Sequence, residues 1–146
     1  MNFAFVTHRV AVGTAILTHA DSQELVDAEI THVIDCRAEF DDTPIVRGFN
    51  LDLLWQGVVD DGKTKTAEWF DGIIRFALLA LSSPRKKVLC HCAGGIHRGP
   101  AAAYAVLRAQ GLKRFEAKRL IMATWPRAEL IYQDDADAAV KLLGYE

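Results

Sequence analysis

Apolar and polar residues along this chain change period several times, from alternation to near-helical spacing, with turn residues between the blocks. Phe3 to Val6 and Val10 to Gly13 read as short strands. Asp21 to Glu29 reads as a helix, with Asp21 or Ser22 as N-cap and Glu24 at capping-box distance from Asp21. The β-branched run Ile30-Thr31-His32-Val33-Ile34-Asp35-Cys36 suits a buried strand, and polar loop residues follow it up to Pro44. Phe49 to Leu54 reads as another strand, and Val59 to Lys63 as a turn by its Asp61-Gly62 pair. The clearest helix runs from Thr66 to Leu81, where Trp69, Phe70, Ile73, Ile74, Ala77, Leu78 and Leu81 share one face, and Ser82-Ser83-Pro84 ends it. Lys87 to His91 is a strand leading into a glycine-bearing loop, followed by a helix from Pro100 to Gln110 that Gly111 stops. Helices over Phe115 to Thr124 and Gln133 to Leu143, separated by Pro126, complete the chain.

No repeat, low-complexity tract or linker divides these elements, so residues 1–146 are expected to form one domain. Strands interleaved with helices imply an α/β fold, a central mixed sheet flanked by helices on both faces. Half the residues are apolar (51%) and a quarter charged (25%), the balance of an ordinary globular domain. A net charge of -2 gives no field for polyanions, and the run Arg85-Lys86-Lys87 is too small for extended nucleic-acid binding. Three cysteines (Cys36, Cys90, Cys92) lack the even pattern of a disulfide scaffold, which fits a reducing compartment. The N-terminus has no basic leader region, and no apolar run approaches the roughly 20 residues needed to cross a bilayer. A cytoplasmic protein with no membrane partner is expected; the sequence leaves its oligomeric state open.

The loop Cys92-Ala93-Gly94-Gly95-Ile96-His97-Arg98 joins a buried strand to a helix, and that placement gives it chemistry. Gly94 and Gly95 permit the dihedrals by which successive backbone N–H groups converge, and the following helix adds its N-terminal dipole, making an anion cradle from Ala93 to Arg98. A thiol at the mouth of such a cradle is pushed toward thiolate, so Cys92 becomes a candidate nucleophile. Arg98 offers a planar fork that holds two oxygens of a phosphoryl group at once.

A histidine, a cysteine, five residues and an arginine form a pattern that resembles the signature of the protein tyrosine phosphatase superfamily. The order of Val12-Gly13-Thr14-Ala15, a short helix, Ile30 to Ile34 and a loop before a long helix looks like its dual-specificity branch. The resemblance implies a dual-specificity-like fold over the whole chain and a phosphocysteine formed on Cys92. It implies that Arg98 and the loop amides hold phosphate, that His91 braces the loop, and that an aspartate protonates the leaving group and then activates water. Asp60 matches that acid position, with Asp61 as the adjacent alternative. No cofactor or metal is called for, because Arg98 and the amides carry the charge of phosphoryl transfer. The expected partner is a phosphorylated protein or a small phosphomonoester.

One departure stands out: Gly99 follows the arginine where most relatives carry Ser or Thr, whose hydroxyl helps the sulfur leave in the second step. Gly99→Ser is therefore expected to speed breakdown of the intermediate. The different-class alternative is a phosphate or phosphopeptide-binding module with slow turnover; a rhodanese-like sulfur carrier ranks below it, since its cysteine-to-arginine interval is shorter. Cys36 is placed like a cysteine that some lipid-phosphatase-like relatives oxidise onto the nucleophile, with core packing as the other reading. Cys90, His91, Cys92 and His97 match no usual zinc spacing. Trp125-Pro126-Arg127 reads as a helix junction, and Trp55 as core or loop packing beside the acid loop. The loop's uncharged Ala93 to Ile96 argue against inositides, with His97 the one added cation, and phosphotyrosine-like substrates are the default.

Overall fold

The structure, a computed structural model, describes residues 1–146. Strands β1 (Phe3–Phe5), β2 (Val10–Gly13), β3 (His32–Arg37), β4 (Asp52–Val58) and β5 (Val88–His91) form one sheet in the order β1-β2-β5-β3-β4. β1 pairs antiparallel with β2, while the β2–β5, β5–β3 and β3–β4 pairs are parallel, so the sheet is mixed as expected. The helices are α1 (His19–Asp27), α2 (Thr43–Val46), α3 (Ala67–Leu81), α4 (Arg98–Ala109), α5 (Arg114–Thr124) and α6 (Gln133–Leu142).

Strand parity divides the core. Val10, Val12, Ile34, Cys36, Val88 and Cys90 face the larger apolar cluster with α3, α4 and α6. Their neighbours Ala11, Val33 and Leu89 face a smaller cluster with Leu25 of α1 and Val46 of α2. Strands buried on both faces explain the near-continuous apolar runs in the sequence. Because β2, β5, β3 and β4 run parallel, their C-terminal ends meet at one edge, where the chain leaves Gly13, His91, Arg37 and Val58. Ligands of open α/β sheets bind in the crevice at that edge. No helix is long and apolar enough to cross a membrane.

Several element ends shift by one or two residues from the pattern reading, β3 starting at His32 and α4 at Arg98, and three differences have a visible cause. α1 begins earlier than Asp21 because Thr18 is the N-cap: its side chain accepts from the Asp21 N–H at 3.1 Å, and Asp21 Oδ2 accepts from the Thr18 N–H at 3.1 Å. α2 begins inside the segment expected to be loop up to Pro44, and its cap residue Asp42 makes no capping bond because its carboxylate is engaged elsewhere. β4 starts and ends later than Phe49 to Leu54 and reaches Val58 through a register shift opposite Asp35 to Arg37. Gly57 makes that approach possible, since a Cβ there would lie 2.6 Å from the Arg37 carbonyl oxygen.

Candidate active site

β5 ends at His91, and the loop from Cys92 to His97 passes directly into α4 at Arg98. The direction of its amides follows from what its carbonyls touch. The Cys92 oxygen lies 3.1 Å from His91 Nδ1, the Ala93 oxygen accepts from the Ala15 N–H at 3.0 Å, the Gly95 oxygen accepts from the Trp125 indole N–H at 2.6 Å, and the Ile96 oxygen accepts from the Glu129 N–H at 2.8 Å. In a trans peptide the next N–H points the opposite way. The amides of Ala93, Gly94, Ile96 and His97 therefore point away from those partners, and the N–H groups from Ala93 to His97 donate to no other protein group. Gly95 holds φ +69°, and a Cβ on it would lie 2.8 Å from the Trp125 ring, so only glycine fits.

Cys92 and Arg98 are both buried beside this cradle. Arg98 has two working edges. Its Nη1 and Nη2 donate to Glu39 Oε1 and Oε2 at 2.7 and 2.9 Å, and Nη1 also donates to the Val58 carbonyl at 2.9 Å. Its Nε is buried without a partner. The Nη1 and Nη2 end is thus gripped by the protein, while the Nε donor is left unsatisfied. The bond from Arg98 is the main cause that holds the Glu39 carboxyl down at about 2, and the same bond raises Arg98. Sequence reading did not find Glu39, whose partner lies far along the chain; a lone glutamate in a polar loop carries no signal of its own.

Behind the loop, His91 is fully buried. A carbonyl only accepts, so His91 Nδ1 carries a proton toward the Cys92 oxygen, and a second proton lies between Nε2 and the Asp42 carboxylate. Asp42 Oδ1 accepts from Arg37 Nη2 at 2.7 Å, and Asp35 Oδ1 accepts from Arg37 Nε at 3.2 Å. Burial, the largest influence on Asp35, holds its carboxyl above the ordinary value. Asp35, Asp42 and His91 bring ligand atoms within 4.8 Å of one another, the arrangement a metal would need, but Arg37 already bonds to both acids and supplies the positive charge there. The group is a brace that ties the loop to β3 and the head of α2.

The loop after β4 separates the two aspartates. Asp60 turns toward the cradle: with Ala38, Glu39, Val59 and Arg98 it lines a hollow of about 470 Å³. Asp61 turns away, accepting from Lys65 Nζ at 2.6 Å and from the Lys63 N–H at 3.0 Å in a turn. Asp60 Oδ2 lies 3.0 Å from His97 Nδ1, and Oδ1 accepts from the Tyr132 hydroxyl at 2.7 Å. Burial pushes the Asp60 carboxyl up, but the bonds from His97 and Tyr132 outweigh it and hold it below the ordinary value.

Gly99 has a steric explanation that the sequence did not show. A Cβ there would lie 3.1 Å from His91 Cα and 3.2 Å from both the Cys90 oxygen and the Cys92 nitrogen, so glycine lets α4 sit tightly against β5. Cys36 is a free, buried thiol in the same apolar cluster as Cys92, pushed well up by burial. Trp55 is half-exposed rather than core, its indole donating to the Arg37 carbonyl at 2.6 Å beside a hollow lined by Ala38, Gln56 and Gly57. A larger hollow of about 610 Å³, lined by His32, Asp52 and Phe76 among others, lies where β3 and β4 begin and contains none of the cradle's groups.

A mixed five-stranded sheet with a cysteine loop running from its central strand into a buried helix is the fold of the dual-specificity type of protein tyrosine phosphatase. Solved structures make the likeness specific. PTPMT1 in complex with PI(5)P is 16% identical with a TM-score of 0.80, covering 97% of this chain and 98% of that one. Human DUSP28 is 18% identical at 0.81, covering 97% and 95%, and Tk-PTP in its active form is 22% identical at 0.77, covering 94% and 95%. At these identities the likeness is one of fold. No protein-family model and no curated protein matches the sequence.

Proposed function

We propose that the protein hydrolyses phosphomonoesters through a phosphocysteine on Cys92, with Arg98 and the amides of Ala93 to Arg98 binding phosphate and Asp60 as general acid. The observation that carries this reading is the unpartnered, buried Arg98 Nε standing beside Cys92 at a cradle of unengaged N–H groups. Such a site stabilises the spread negative charge of a transferring phosphoryl group without a metal. His91 orients the nucleophile's peptide, and Asp61 serves the turn. The rim beyond the cradle carries Glu39, Asp60 and Glu129, which disfavours substrates with several phosphates; a single phosphate on a protein side chain or a small molecule fits it. Free thiols fit a reducing, cytoplasmic setting.

Hydrolysis of p-nitrophenyl phosphate that Cys92→Ser abolishes is the expected result; hydrolysis that survives this substitution refutes the reading. A second reading, phosphate capture with slow release, is favoured by the close packing at Gly99, which leaves no room for a side chain behind Cys92 without movement of α4. Tight binding of a phosphotyrosine peptide with no turnover identifies that case.

A further inference from the structure

The outer rim of the cradle holds a chain of side chains that phosphate binding does not use. Both ring nitrogens of His97 face carboxylates: Nδ1 lies 3.0 Å from Asp60 Oδ2 and Nε2 lies 2.9 Å from Glu129 Oε2. Carboxylates only accept, so both contacts are hydrogen bonds together in the imidazolium. The second oxygen of Asp60 accepts from Tyr132, whose own oxygen accepts from the Gly62 N–H at 3.0 Å, which directs the phenolic proton at Asp60. Asp60 is thus surrounded by donors, as suits a carboxylate. Acid catalysis of the leaving step requires the carboxylic acid.

We propose that His97 and Asp60 hold one exchangeable proton between them and deliver it as a unit to the leaving oxygen, with Glu129 keeping His97 charged. The inference rests on the phosphatase reading above and deepens it by making His97 and Glu129 positioning residues for the acid. As the bond from phosphorus to the leaving oxygen breaks, the Nδ1 proton passes onto Asp60 and from Asp60 to that oxygen. In the second step water attacks phosphorus, the pair of the sulfur–phosphorus bond returns to Cys92 as thiolate, and the proton released by water passes through Asp60 back to His97.

The charged and titratable groups facing the pair come from two further parts of the fold, the α5–α6 junction and the head of α4. Glu129 lies in the junction between α5 and α6, Tyr132 just before α6, and Arg98 at the head of α4. On the acid loop itself, Lys65 lies 5.1 Å over the Tyr132 ring and is bonded to Asp61. Burial draws the His97 imidazole down, but its bonds to Asp60 and Glu129 outweigh that and hold it above 6.5. Asp60 is held below 3.8. The pair therefore holds its proton more tightly than an ordinary imidazole does, and loses it as pH rises through the raised value of His97.

Glu129→Gln tests this without touching the cradle, because the bond to the Ile96 oxygen uses the Glu129 backbone N–H. The pH profile of kcat/KM is measured for p-nitrophenyl phosphate, whose leaving group needs little protonation, and for a phosphoserine peptide, whose leaving group needs it fully. Their ratio removes the ionisation of Cys92 and most of the substrates' own. The ratio for the peptide is expected to fall at alkaline pH, with a midpoint that moves down by about 0.5 to 1 pH unit in E129Q. An active E129Q with an unmoved midpoint overturns the inference while leaving the phosphatase reading intact. An NMR titration of the His97 imidazole needs no turnover: a midpoint above 6.5 that falls in both E129Q and D60N supports the shared proton. A midpoint at or below 6.5 in the unsubstituted protein overturns it, whatever the activity.

Discussion

Trp125→Phe separates the cradle's geometry from its composition, since it changes no group that meets phosphate. The indole N–H reaches the Gly95 oxygen at 2.6 Å from a buried ring, so phenylalanine leaves that carbonyl facing an apolar edge. An orphaned buried acceptor costs about 1 to 3 kcal/mol, and the smaller ring adds a cavity cost in the same direction. The protein relieves the first cost by rotating the Gly95–Ile96 peptide, which the glycine's freedom allows and which turns the Ile96 N–H out of the cradle. A hydrogen bond from an N–H to a charged oxygen contributes about 1.5 to 3 kcal/mol, so losing it weakens anion binding about 10- to 150-fold. Calorimetric titration with orthovanadate reads that loss, and urea unfolding reads the stability in parallel. A W125F protein that is destabilised as expected yet binds orthovanadate within twofold of the parent refutes the idea that the indole sets the amide's direction.

Two other substitutions probe neighbouring parts. Gly99→Ser places a Cβ 3.1 to 3.2 Å from three β5 and loop backbone atoms, so it is expected to lower stability by about 1 to 3 kcal/mol. In burst kinetics it is expected to speed the second step only if α4 gives way; a stable, unshifted G99S with an unchanged second step removes the hydroxyl argument. Glu39→Gln removes a carboxyl held from 4.5 down to about 2. A depressed carboxylate contributes stability above its unfolded value that is lost as pH falls through the folded one, so the parent's advantage over E39Q should fade between pH 4.5 and about 2. Partial exposure limits that advantage to about 1 kcal/mol. An advantage that persists unchanged at pH 2, followed by urea unfolding, contradicts the ion pair's role.

The loop that joins β5 to α4 was legible because its signal is local: a strand, a cysteine, glycines and an arginine lie in one continuous stretch. The mixed sheet was legible for a similar reason, since strands buried on both faces leave apolar runs. The supports were not. Glu39 holds Arg98, Asp42 holds His91, and Trp125 and Glu129 hold the Gly95 and Ile96 carbonyls, all across distant elements that only folding brings together. Asp60 and Asp61 likewise face different ways from one turn, the first toward His97 and the second toward Lys65, which adjacent identical residues cannot reveal. Gly99 read as a lost hydroxyl in sequence and as a close helix–strand contact in space.

The central claim is that Cys92 carries the phosphoryl group, and rapid acid quench during turnover of p-nitrophenyl phosphate tests it most directly. Peptide mass spectrometry is predicted to find one phosphoryl adduct, on Cys92, that is absent from Cys92→Ala. Turnover with no adduct on Cys92, or with an adduct on another residue, contradicts the account.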